Sequence, residues 1–161
     1  MRYFIIVMIG ALLLSAPAIA KRSSQPTVTV EELRSMQTRQ FESEFDTVFP
    51  SVIGVLTDAG YTIDEANKDS GFISASAATL TKVSGLGLNS RKTTPKVRVF
   101  IEPRGQNNTQ VRISLVEHYY YGYNGKPYRD EDTVVSTSAA YEEIFSKVQA
   151  VIARRIGSSP Q

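Results

Sequence analysis

Residues 96–115, KVRVFIEPRGQNNTQVRISL, decide the fold of this chain. Val97, Val99 and Ile101 fall on one side of an extended backbone, with Arg98, Phe100 and Glu102 on the other. Beyond Gly105-Gln106-Asn107-Asn108 the pattern returns in Val111, Ile113 and Leu115. Strict alternation marks a strand with one buried face, and a cluster of glycine and asparagine between two such runs marks a hairpin. Strands joined this way make an antiparallel sheet with one dry face that something apolar must cover.

The cover lies on either side in the sequence. Phe45, Val48, Phe49, Val52, Val55, Leu56 and Ala59 recur at three and four, the spacing of one helical stripe, and Gly60 suits a left-handed stop. Pro50 interrupts that stripe, and past the first turn a proline removes an amide donor, so the spacing predicts a late start or a kink. Tyr141, Ile144, Phe145, Val148, Val151 and Ile152 draw a second stripe. Ser138 is placed to cap that helix, Arg154 and Arg155 suit its last turn, and Gly157 suits its end.

Between the helices the punctuation is that of hairpins. Tyr61, Ile63 and Glu65 alternate before the turn signal Asn67-Lys68-Asp69-Ser70-Gly71, and a strand over 71–79 follows. Asn124-Gly125 folds residues 114–123 back onto 126–137. A strand over 37–42 precedes the first long helix, and Thr29-Val30-Glu31-Glu32 before it fits a capping box opening a short helical turn through Met36. The expected fold is therefore α+β, in the order β-α-β-β-β-β-β-α. An antiparallel sheet of five to six strands carries two helices packed on one face.

Met1 to Ala20 has the layout of a cleavable export signal: Arg2, an apolar run from Tyr3 to Leu14, and Ala18-Ile19-Ala20 before Lys21. The run is shorter than the roughly 20 residues that span a bilayer. The expected organisation is a signal over 1–20, a flexible leader with a short helical turn over 21–36, one α+β domain over 37–156 and a flexible tail over 157–161. Export after cleavage at Ala20 implies a periplasmic or secreted protein.

With 18 basic and 16 acidic residues the formal charge is +2, too even for a nucleic-acid or polybasic membrane binder. The absence of cysteine excludes disulfides, thiolate catalysis and thiolate metal sites, and also the lipid-accepting residue of a lipoprotein. His118 is the single histidine, with no serine elbow or second histidine to make a triad or a zinc site, and reads as a solvated strand residue. Asp130-Glu131-Asp132 lacks the glycine and ligand spacing of a calcium loop and reads as a solvated charge run before a strand. Asn107-Asn108-Thr109 matches a glycosylation acceptor but reads as a turn. No catalytic, metal or cofactor residues are expected, and the chain is not expected to be an enzyme.

Two stretches stand out instead. The fifteen or so residues from Leu80 to Thr94 read as an unusually long connection carrying Leu80, Val83, Leu86 and Leu88, which either cover a sheet edge or meet a partner or lipid headgroups. Gly85-Leu86-Gly87-Leu88 within it is too incomplete for a phosphate loop. Tyr119, Tyr120, Tyr121, Tyr123 and Tyr128 crowd the last hairpin, with Tyr119, Tyr121 and Tyr123 on one face. Tyrosines so placed are either cross-strand packing or a binding ridge.

Arg34-Ser35-Met36-Gln37-Thr38-Arg39-Gln40-Phe41, together with residues 55–66 running on to Gly71-Phe72-Ile73-Ser74-Ala75, resembles a group of small bacterial envelope proteins, many of them lipoproteins. The turn Asp58-Ala59-Gly60-Tyr61-Thr62-Ile63 and the strand after it are also similar to the helix-grip domains of the accessory lipoprotein of the outer-membrane β-barrel assembly machinery. The first resemblance covers most of the chain after the leader and implies an envelope domain acting by contact, with no catalytic residues to carry over. The second covers one motif and a topology. The chain departs from the lipoproteins in lacking their cysteine. The function expected is that of a non-enzymatic envelope accessory domain with a protein partner. The alternative is a carrier of a small ligand or lipid between helices and sheet.

Overall fold

The structure is a computed structural model that describes residues 28–157, so the expected export signal, the first part of the leader and the end of the tail lie outside the described residues. The elements run α1 (Val30–Gln37), β1 (Thr38–Phe41), α2 (Phe45–Asp58), β2 (Thr62–Asn67), β3 (Phe72–Ser76), β4 (Leu80–Ser84), β5 (Asn89–Pro103), β6 (Thr109–Tyr123), β7 (Lys126–Val134) and α3 (Ser138–Gly157). The protein is thus α+β, with three helices and one antiparallel sheet of seven strands, at least one more strand than the alternation predicts.

Two 15-residue strands, β5 and β6, form the spine, paired without a break from Pro103↔Thr109 to Asn89↔Tyr123. At about 3.3 Å per residue each is roughly 50 Å long, whereas the 14 residues of α2 and 20 of α3 reach only about 21 and 30 Å. The helices therefore cover one end of the spine and leave the other bare. At the covered end the order is β1-β6-β5-β3-β2. At the bare end β4 pairs with residues 89–93 of β5 and β7 with residues 116–123 of β6, giving a four-stranded blade β7-β6-β5-β4.

The core is the interface between the covered end and the helices. Val97, Val99, Ile101, Val111, Ile113 and Leu115 are buried on the sheet side, as their alternation predicts. Val48, Phe49, Val52, Val55 and Leu56 of α2, and Tyr141, Phe145, Val148 and Ile152 of α3, meet them. Each fully buried aliphatic or aromatic side chain contributes about 1.5–3 kcal/mol, which is what holds a chain without disulfides together. Two buried hydroxyls are satisfied within the chain, whereas the buried Asn108 Oδ1 has no hydrogen-bond partner among the described residues. Ser51 donates to the Thr47 carbonyl at 2.6 Å, and Thr109 to the Ser43 carbonyl at 2.7 Å.

Several local expectations are corrected. The late start does not occur: α2 begins at Phe45 with Pro50 inside it, and Val48, Phe49 and Val52 are buried on either side of the proline. Ser138 is the first residue of α3 and not its cap; the Thr137 carbonyl receives the Ala140 amide instead. Gly157 is the last helical residue described and not the start of a tail. Asp130, Glu131 and Asp132 stand within β7 and not before a strand; Asp130 and Asp132 are exposed as expected, but both reach His118 on β6, and Glu131 pairs with Arg129 of its own strand. The capping box is as expected: Glu32 donates its amide to the Thr29 hydroxyl at 3.2 Å and its carboxylate accepts the Thr29 amide at 2.8 Å, which holds its pKa below the usual carboxylate range.

Candidate contact site at the end of the blade

The largest correction falls on Leu80 to Thr94. It is not a long connection but a hairpin, in which Leu80–Ser84 pairs with Asn89–Thr93 around the four-residue turn Gly85-Leu86-Gly87-Leu88. All five residues of β4 are exposed, so neither face carries the apolar alternation by which a strand is recognised.

That hairpin lies beside the β6–β7 hairpin. The Asn124 amide donates to the Leu88 carbonyl at 2.7 Å, and Asn89 pairs with Tyr123, so the two turns share one end of the blade. Asn124 and Gly125 both take positive φ, 47° and 76°, as an asparagine–glycine turn requires. The two stretches singled out in the sequence therefore meet at one end of the blade. Leu88 (42% exposed) and Tyr123 (53%) offer apolar area to solvent there, with Val83 (60%) and Tyr128 (64%) further down their hairpins, while Leu80 (61%) lies at the far end of β4 on the face opposite Val83.

Leu86 is the extreme case. It projects from the turn with 105% relative exposure, and its φ is 56°, in the left-handed region. A side chain with a Cβ pays about 1–2 kcal/mol for that backbone. A glycine would remove the strain and the exposed apolar surface together. Residues kept strained and exposed in this way cluster at contact sites.

The tyrosines below the turn do not stack as a free ridge. Tyr119 and Tyr121 are stacked at 6.1 Å, Arg91 lies 5.6 Å over Tyr119, and Arg129 lies 5.5 Å over Tyr121. Tyr128 is the extra residue of a bulge, since Pro127 opposes Gly122 and Arg129 opposes Tyr121, and its ring reaches within 6.1 Å of Tyr121. Tyr119 donates to the Glu117 carboxylate, and that bond pushes its phenol pKa up. Tyr119 and Tyr121 are thus scaffold, while Tyr123 and Tyr128 are the exposed pair.

On the opposite face of the blade His118 is a strand residue with 27% of its side chain exposed, held between two carboxylates. Its Nδ1 lies 2.7 Å from Asp132 and its Nε2 3.3 Å from Asp130, both on the neighbouring strand. The bond to His118 holds the Asp132 carboxyl below the usual carboxylate range, and Lys96 and Arg98 add to it. The three groups form a clasp between β6 and β7. Their residue types were visible in the sequence, but the clasp depends on the β6–β7 register, which places Asp132 directly opposite His118.

Among the described residues no helix is long and apolar enough to cross a membrane. Neither a protein-family model nor a curated protein matches the chain. Solved structures similar to it include the following two. A DUF4468 family protein from Bacteroides ovatus is 11% identical, with 76% of this chain and 85% of that one covered at a TM-score of 0.41. A TBP-like protein from Parabacteroides distasonis is 12% identical, with 72% and 90% covered at a TM-score of 0.40.

Proposed function

We propose that the protein is a non-enzymatic accessory domain of the bacterial envelope that works by contact with a protein partner through the end of its blade. The observation that carries this reading is Leu86, fully exposed on a strained turn at the end of a blade that also exposes Leu88 and Tyr123 there. Apolar and tyrosine side chains around a protruding anchor are the make-up of a contact centre. The export pattern of Met1 to Ala20 and the resemblance to small envelope proteins supply the compartment.

Contact is favoured over carriage by the packing between helices and sheet. Leu56, Ile73, Val99 and Ile113 present 0% of their surface, leaving no room even for a water molecule against them. Contact is favoured over catalysis by His118, whose two nitrogens are taken by aspartates and not by a nucleophile.

A photo-crosslinking residue at position 86, compared with one at Ser74 on the covered end of the sheet, tests the reading in cells. A defined envelope protein captured from position 86 alone is the expected result. Equal capture from both positions, or none from 86, would remove the basis for the proposal.

A further inference from the structure

We infer that the open face of the covered end holds a second site, independent of the blade, that binds a phosphate group. Arg34, Arg98 and Arg112 line one shallow depression of about 260 Å³, completed by Gln37, Phe100 and Ser114. Arg98 pairs across the sheet with Ser114 and Phe100 with Arg112, so the four strand residues make one block on the face away from α2 and α3. Thr38 pairs with Arg112, which puts the end of α1 directly at that block and brings Arg34 and Gln37 to its edge.

Three guanidinium groups meet here, and among the described residues none makes a salt bridge to a carboxylate. Glu102 is taken by Arg104, and Glu142 by Arg39. Asp132 senses the charge of Arg98, but its oxygen is bonded to His118. Arg112 instead lies 5.3 Å over the Phe100 ring, which in turn packs on Phe72 at 5.0 Å. Like charges placed together on one sheet face weaken the fold unless an anion joins them. Guanidinium forks match phosphate oxygens two at a time, Ser114 adds a neutral donor while the Gln37 amide also reaches the Tyr141 hydroxyl at 3.5 Å, and three positive charges exceed what a single carboxylate needs. The depression is smaller than the roughly 300–1,000 Å³ of a pocket for a whole drug-sized ligand, so it fits a headgroup, with the 40%-exposed Phe100 ring as a wall for whatever carries it.

The same chemistry is offered by free phosphate and by a phosphomonoester lipid headgroup. The test is calorimetric titration of the protein at low salt with inorganic phosphate, and in parallel with vesicles containing phosphatidate and with neutral vesicles. Saturable binding of phosphate alone assigns a soluble ligand. Binding of phosphatidate vesicles as well, with none to neutral ones, assigns the lipid source. The double variant Arg98→Gln with Arg112→Gln changes only exposed side chains and should weaken binding at least about tenfold, as loss of charged hydrogen bonds does. Arg91→Gln and Leu86→Gly, both on the blade, should leave it unchanged. Amides of Gln37 and Ser114 should shift in a phosphate titration followed by NMR. No binding of either probe, or equal weakening by Arg91→Gln, overturns the inference. Loss of crosslinking from position 86 with phosphate binding intact would sink the blade proposal alone.

Discussion

Gly71 and Leu86 both take positive φ, 67° and 56°, yet for opposite reasons. At Gly71 a Cβ would lie 2.0 Å from the Ile101 carbonyl oxygen, and the Ile101 amide donates to the Gly71 carbonyl at 2.8 Å. Only glycine lets the two backbones approach so closely. Gly71→Ala should destabilise the fold by about 2–3 kcal/mol, read as a lower denaturant midpoint. Leu86 breaks the same rule in the exposed turn, so Leu86→Gly should raise stability by about 1 kcal/mol while abolishing partner capture. A variant that loses both together would mean the leucine is structural. On pH, the Asp132 carboxyl is depressed in the folded chain. Its contribution is present above the ordinary unfolded carboxyl value and is lost as pH falls through the lower folded one. Denaturation curves between pH 5 and 2, about the carboxylate range, should therefore show a slope that Asp132→Asn reduces. Tyr119 has the reverse sign: its phenol is pushed up by Glu117, so that part is complete below the ordinary tyrosine value and fades as pH rises through the higher folded one.

Among the elements, those with one dry face were legible. The alternation of β5 and β6 around 97–115 and the stripes of α2 and α3 announced themselves because burial imposes a period on sequence. β4 was not legible, because a strand wet on both faces has no period to impose, and Leu80 and Val83 fall on opposite sides of it. β7 was legible only through the Asn124-Gly125 turn before it; within it Asp130 and Asp132 face His118 while Glu131 turns to Arg129. The residues of the contact site were named from composition, but their union was not, since it rests on Leu88 meeting Asn124 across two hairpins. The arginine depression escaped notice for a related reason: Arg34 is distant in sequence from Arg98 and Arg112. For α1, which buries no residue of its own, the cap is most of what defines its start. Thr29→Ala should cost that helix about 1 kcal/mol, seen as faster amide exchange over residues 31–33, with the global melt unchanged.

Across the whole molecule, stability should follow the helices and not the strands. Amide exchange in β5 should slow from the blade, residues 89–92, toward Val97–Ile101, although one continuous ladder links them. β6 should show the matching gradient from Tyr123 to Val111. Uniform protection along both strands would mean that the blade is held by something other than its own pairing. Partner binding at the turn should flatten the gradient, since an occupied blade no longer opens alone.

The sheet order also has a kinetic consequence. Strands β2 to β7 are joined through short turns, so that the run from Thr62 to Val134 closes by local steps, whereas β1 must find β6 across the whole of that sheet, Phe41 meeting Thr109. Contacts of such long separation form slowly. β1 is joined to α3 by Arg39, which bonds both oxygens of Glu142 at 2.9 Å and lies 5.0 Å over the Phe145 ring. The first strand and the last helix described are thus latched to each other, so that loosening either one is expected to loosen its partner.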